Sequence, residues 1–222
     1  MIFNFFNIKK KIPAPWKKYY NDVDMNIKIP NLTMYNQLKN ISIKFPNNVA
    51  IEYFGNNIKY KTLLKRIDNC ALCFKKYGVR KGNIVSICLP NVPEALIALY
   101  ALNKIGAIAN MIHPLSAEQE IKESLLSTNS NYLIIIDMCY SKIKDIINST
   151  KVKKVIYVSP SNSFVWYLKL PYKITNRKKY EHYKKNQNNI SWNKFYLNYL
   201  FVNIKNIKFK KNGKNTPAVI LH

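Results

Sequence analysis

The chain has 222 residues, 48% of them apolar, and carries 36 Lys and Arg against 11 Asp and Glu, a formal net charge of +25. That apolar fraction excludes a disordered polyelectrolyte. No stretch of 18 residues is free of charge, which argues against a membrane-spanning helix. The positive charge comes from 33 Lys and only three Arg (Arg66, Arg80 and Arg177), beside 30 Asn and 29 Ile. These are the residues that A- and T-rich codons specify, so a Lys-rich solvated surface accounts for much of the excess. Arg, the residue suited to bidentate phosphate and base contacts, is scarce, and no specific nucleic-acid partner is expected. The charge is uneven: +4 over residues 1–30, +6 over 31–150 and +15 over 151–222, where sixteen basic residues face the single acid Glu181.

In chain order, residues 1–30 hold three prolines and two aromatic pairs and are expected to form an extended arm. Thr33 can cap a helix running to about Lys44, which Phe45-Pro46 ends. Val49–Phe54 and Ile58–Tyr60 flank Gly55-Asn56-Asn57, a hairpin signal. Leu63, Leu64, Ile67, Ala71 and Phe74 follow at helical spacing, with Gly78 placed for a left-handed C-terminal cap. Cys70 and Cys73 lie on adjacent turns of that helix. With no second Cys pair or His cluster, they read as buried core thiols, not as a zinc site.

Apolar runs then alternate with helical segments. Ile84–Leu89, Ala107–Ile112, Tyr132–Ile136 and Val155–Val158 read as strands. Between them lie helices from Val92 to about Lys104, with Asn91 as cap and Glu94 as its capping-box partner, from Ala117 to Ser127, entered at Ser116, and from Cys139 to Ser149. This order implies an α/β fold with a mostly parallel sheet and helices on both faces. From Ser159 the pattern breaks. Phe164–Leu170 is an apolar-aromatic knot beside Lys169 and Lys173, and polar Lys- and Asn-rich sequence follows to about Ile190. Trp192–Leu200 reads as a helix entered at Ser191, Asn203–Asn215 as a solvated basic linker and Pro217–Leu221 as one more buried strand. The expected organisation is an arm (1–30), an α/β subdomain (31–158), a basic aromatic insertion or linker (159–215) and a final strand (216–222).

The motifs of the central unit resemble one family. Gly78-Val79-Arg80-Lys81-Gly82 with Val85, then Pro90-Asn91, Pro93-Glu94, Lys104-x-Gly106-Ala107 and Ile121 fall in the order and spacing of the AMP-forming acyl-adenylate ligases. Pro46-x-x-x-Ala50-Ile51 and Tyr60-x-x-Leu63 fit that family's first hairpin and helix, and Thr216–His222 resembles the strand leading to its phosphate loop. Pro15-Trp16, Tyr19-Tyr20 and Asn110–Ser116 look most like bacterial long-chain fatty-acid–CoA ligases. Asn83 stands where the family usually has Asp, and Lys59 where many members have a capping Ser or Thr.

The resemblance implies ATP, Mg2+ and CoA as cosubstrates and a fatty acid as the group activated: its carboxylate attacks the α-phosphate of ATP, and CoA then displaces AMP. The family's phosphate loop, adenine site, ribose-binding acid and catalytic lysine correspond to sequence beyond His222, so the chain is expected to be an N-terminal portion, inactive alone, with no catalytic, cofactor-binding or metal residue assigned in it. A separately encoded C-terminal half would be one partner; the alternative to a ligase fragment is a non-catalytic basic module associated with a membrane or RNA. None of the five glycines forms a nucleotide-binding fingerprint. His113, beside Pro114 at a strand's C-terminal end, is the one candidate to line the acyl or nucleotide crevice, against a simple turn histidine as the alternative. The N-terminus places its apolar residues before its lysines, unlike a secretory signal. A cytoplasmic chain with reduced thiols is expected. Trp and Tyr beside Lys in 159–215 add the expectation of peripheral contact with an anionic membrane at its inner face.

Overall fold

The computed structural model describes residues 15–20, 28, 30–176, 188–203, 209, 213 and 215–222. The chain divides into two units, Met1–Asn31 and Leu32–His222. In the first, Pro15–Tyr19 form a short 3-10 helix, and most of the expected arm lies outside the described residues.

The second unit opens with α1 (Met34–Lys44), capped by Thr33, whose hydroxyl accepts the Asn36 N–H at 3.1 Å. A hairpin follows, β1 (Val49–Tyr53) and β2 (Asn56–Lys59). Its turn is shorter than the sequence suggests. Phe54 and Gly55 both have positive φ, 44° and 75°, and Asn56 and Asn57 belong to the strand. A two-residue turn of this hand matches the twist of the flanking strands. The next helix, α2 (Tyr60–Lys76), starts at Lys59 with no side-chain cap, as the missing Ser or Thr implies. It ends at Gly78, whose φ of 91° lets the Val79 N–H return to Phe74 O at 2.9 Å. Asn83 closes the next turn: its Oδ1 accepts the Arg80 N–H at 2.8 Å.

The crossover units follow: β3 (Ile84–Cys88), α3 (Pro93–Ile105), β4 (Ile108–Met111), α4 (Glu118–Ser127), β5 (Tyr132–Ile136), α5 (Tyr140–Lys144) and β6 (Lys154–Val158). Two expectations need correction. Cys139–Ser149 is no single helix; α5 covers one turn and a half between 3-10 segments at Asp137–Cys139 and Ile147–Ser149. The caps of α3 and α4 also differ. Val92 and Ala117 occupy those positions, and the Glu120 carboxylate accepts the Ala117 N–H at 3.0 Å.

Parts of 159–215 are built into the unit. α6 (Trp166–Thr175) is followed by β7 (Asn189–Ser191), α7 (Trp192–Tyr196) and a 3-10 turn, Leu197–Phe201; β8 (Val219–Leu221) closes the order. Most of the expected linker 203–215 lies outside the described residues. The main sheet is parallel throughout, in the order β7-β6-β5-β3-β4-β8. The chain steps from β3 to β4 one way and from β4 to β5 the other. Right-handed crossovers therefore put α3 and α4 on opposite faces. Alternation along the strands sorts the cores accordingly. Val85, Ile87, Ala109, Ile134 and Ile156 pack with α2, α3 and α7, whereas Cys88, Leu133, Ile135 and Val155 pack under Ile121 and Leu125 of α4 and Ile143 of α5. Cys70 and Cys73 lie in the first core; burial raises both thiol pKa values, that of Cys73 to about 12.

Phe195 fastens α7 to α2. It is fully buried, 5.0 Å from the Phe74 ring and 5.3 Å from Tyr77. Phe195→Ala is expected to cost about 3–5 kcal/mol in urea unfolding. Phe201→Ala, at an exposed position, should stay within about 0.5 kcal/mol.

Candidate functional site

Ligands of open α/β sheets gather where the strands end and the strand order reverses. Here that edge carries Pro90-Asn91 after β3, His113-Pro114 after β4, Asp137 after β5 and His222 after β8. A cavity of about 450 Å³ lies beside β4, lined by His113, Ser116, Glu120, Ser124, Ser127 and His222, with Ile112 and Glu123 completing it. His113 is exposed, and its Nδ1 accepts the Leu115 N–H at 3.2 Å. The structure thus gives this candidate both a place on the cavity wall and a turn-closing hydrogen bond.

Beneath the cavity lies a polar cluster on the α4 face. Asn110 is fully buried, and its two amide hydrogens are shared among Ser86 Oγ (2.8 Å), Ser124 Oγ (3.1 Å) and Thr128 Oγ1 (3.3 Å). Ser130 joins Ser86 and Thr128 at 2.8 Å each. His222 Nε2 sits 2.6 Å from Asn110 Oδ1 and 2.9 Å from Ser124 Oγ. Since Oδ1 can only accept, Nε2 carries the proton in this network. The sequence alone does not reveal this cluster. Its signal was two polar residues, Ser86 and Asn110, set in apolar strands; the parallel register pairs them side by side.

Two buried carboxylates flank this edge. Glu94, read as a helix cap, is 3% exposed; its Oε1 accepts a 2.6 Å hydrogen bond from Ser163, and its Oε2 has no hydrogen-bond partner. Burial raises its pKa despite the Ser163 hydroxyl and the nearby charges of Arg66 and Lys169. Asp137 is pushed up to about 6 by burial, against the pull of the Ser159 hydroxyl and the Met138 N–H, and its Oδ1 has no partner. A second, apolar cavity of about 360 Å³ lies between the hairpin and α3, lined by Tyr53, Val92, Leu96, Leu99 and Met111 among others.

No group of three or more His, Cys, Asp or Glu among the described residues could hold a metal ion. The polar cavity presents two carboxylates and no Lys or Arg. Lys142 donates from its ammonium to Ser116 O at 3.1 Å, and the Glu120 and Glu123 carboxylates accept from the Ala117 N–H and the Gln119 amide.

The profile of the AMP-binding enzyme family matches residues 39–221. The chain belongs to this family. It is 25% identical over 166 residues to a long-chain-fatty-acid–CoA ligase of Bacillus subtilis, covering 74% of this chain and 30% of the relative. It is 36% identical over 109 residues to acetyl-coenzyme A synthetase 1 of Debaryomyces hansenii, covering 46% and 16%. Among solved structures, an anthranilate CoA ligase in complex with anthranoyl-AMP superposes with a TM-score of 0.67 at 13% identity, over 86% of this chain and 32% of that one. A long-chain-fatty-acid–CoA ligase from Archaeoglobus fulgidus gives 0.56 at 22%, over 62% and 30%. These likenesses show the adenylating-ligase fold, and the chain spans about a third or less of these relatives' length.

The buried cluster and the buried acid each give a test. Asn110→Ala leaves Ser86 and Ser124 without their shared donor and is expected to destabilise by about 1–3 kcal/mol in urea unfolding. A carboxylate with a raised folded-state pKa favours folding below its unfolded pKa, and that contribution is lost as pH rises toward about 6. Asp137→Asn is therefore expected to be the more stable protein at pH 7 and to lose that advantage below about pH 4, checked by unfolding across the range.

Proposed function

We propose that this chain supplies the N-terminal part of the large adenylating domain of an acyl-CoA synthetase that activates medium- or long-chain fatty acids with ATP and Mg2+ and passes the acyl group to CoA. The observation that carries the substrate class is the extent of collinearity: the match to the fatty-acid–CoA ligase runs over 166 residues, against 109 for the acetyl-CoA synthetase. In this reading the described residues act as scaffold. The sheet edge bearing His113, Asp137 and His222 would form one wall of the crevice in which the adenylate is made.

We propose further that the 222 residues do not activate a carboxylate by themselves. None of the five glycines falls in a phosphate-loop sequence pattern, and backbone amides at such a loop are what holds transferring phosphates. ATP–pyrophosphate exchange with palmitate should stay at background for the purified chain. Robust exchange would overturn the inactivity. Exchange that appears only on adding a second polypeptide from the same cell would make the chain one half of a split ligase.

A further inference from the structure

α6 is placed unlike the other helices of the unit, because its most apolar side faces outward. At 3.6 residues per turn, Trp166, Leu170, Ile174 and Tyr167 fall within an arc of about 100°. They are 80%, 66%, 66% and 55% exposed, respectively. The opposite side packs inward through Leu168 and Tyr172, and the Tyr172 ring meets buried Phe164 at 5.0 Å. Lys169 and Lys173 border the outward arc on its Trp166 side.

The helix is held in this attitude. Phe164 stacks on Phe54 of the hairpin turn, with ring centres 4.4 Å apart. The Asn56 side chain donates to Ser163 O at 2.8 Å. A Cβ on Gly55 would lie 3.3 Å from Val165 Cγ1 and 3.6 Å from Tyr167 Oη, so the turn approaches the start of α6 closely where its positive φ already favours glycine. Phe54 is itself 57% exposed and extends the apolar surface onto the turn.

We propose that this face, Trp166, Tyr167, Leu170 and Ile174 with Phe54 beside it, docks on the surface of an anionic lipid bilayer. Charge selects the occupant. Exposed Lys173 lines the Trp166 margin of the stripe, and the sequence that follows, Arg177 to Lys185, carries five basic residues against Glu181. An indole and a phenol at the boundary of an apolar strip with lysines at its margin suit the headgroup region, where rings partition and ammonium groups meet phosphate. The helix is a surface element in this proposal. No helix among the described residues is long and apolar enough to cross a membrane. The proposal is independent of the ligase reading.

The test uses the full 222-residue chain and vesicles of phosphatidylcholine with or without phosphatidylglycerol. The chain should co-sediment with the anionic vesicles, far less with the neutral ones, and detach as salt is raised. Trp166→Glu/Leu170→Glu, at exposed positions, should lower the bound fraction at least about tenfold, while Phe201→Glu, equally exposed but outside the stripe, should not. In a Trp16→Phe variant, whose remaining tryptophans are Trp166 and buried Trp192, emission should shift to the blue on adding anionic vesicles. Equal pelleting with neutral vesicles would overturn the proposal, as would binding that survives the double substitution. So would a wild-type chain that stays in the supernatant while the double substitution converts an associating protein to a monomer, because the face would then cover protein.

Discussion

β3 is the strand on which the rest of the unit is arranged. It pairs in parallel with β4 on one side and β5 on the other. Both partners must be reached by crossovers, and the two crossovers run in opposite directions across the sheet. Handedness then leaves no choice of face: α3 goes to one side and α4 to the other. Strand alternation does the remaining sorting. Val85 and Ile87 enter the large core with α2, α3 and α7, and Ser86 and Cys88 point beneath α4. One strand of five residues therefore decides which helices share a core and which face carries the buried polar cluster.

That cluster shows how such a face tolerates polarity. Ser86 and Asn110 are both fully buried, and either alone would leave polar groups without water or partner. Paired by register and met by Ser124, Thr128 and Ser130, they satisfy one another, and the network ends at His222 on the cavity wall. Glu94 and Asp137 are different, since each keeps one carboxylate oxygen without a partner. The strand-end edge thus combines a fully bonded polar core with two acids held toward their neutral forms.

Much of the fold was legible in the sequence because local and global preferences agree. The apolar runs of β3 to β6, the cap at Thr33 and the left-handed Gly78 all fall within a residue or so of where the pattern puts them. Elements that depend on distant partners were harder to read. Asn188-Asn189-Ile190-Ser191 has almost no strand character, yet Asn189–Ser191 forms an edge strand because β6 offers it a register and Ile190 a place in the core. Glu94 has the spacing of a capping residue, and nothing local reveals that Ser163, 69 positions away, buries it. The site was half visible. His113 could be placed from its position after a strand, but Asn110 gains meaning only once β3 is known to lie beside β4.

The edge position of β8 also bears on how the chain is made. Ala109 of β4 pairs with Val219, 110 positions later, whereas β3, β5 and β6 find their partners within far shorter intervals. At synthesis rates of about 5–20 residues per second, β4 would emerge about 5–20 s before its outer partner exists. Over that interval its free edge can pair with whatever strand is nearest. For a chain rich in Ile and Asn, this hazard to β4 is greatest on the ribosome, before β8 pairs with it.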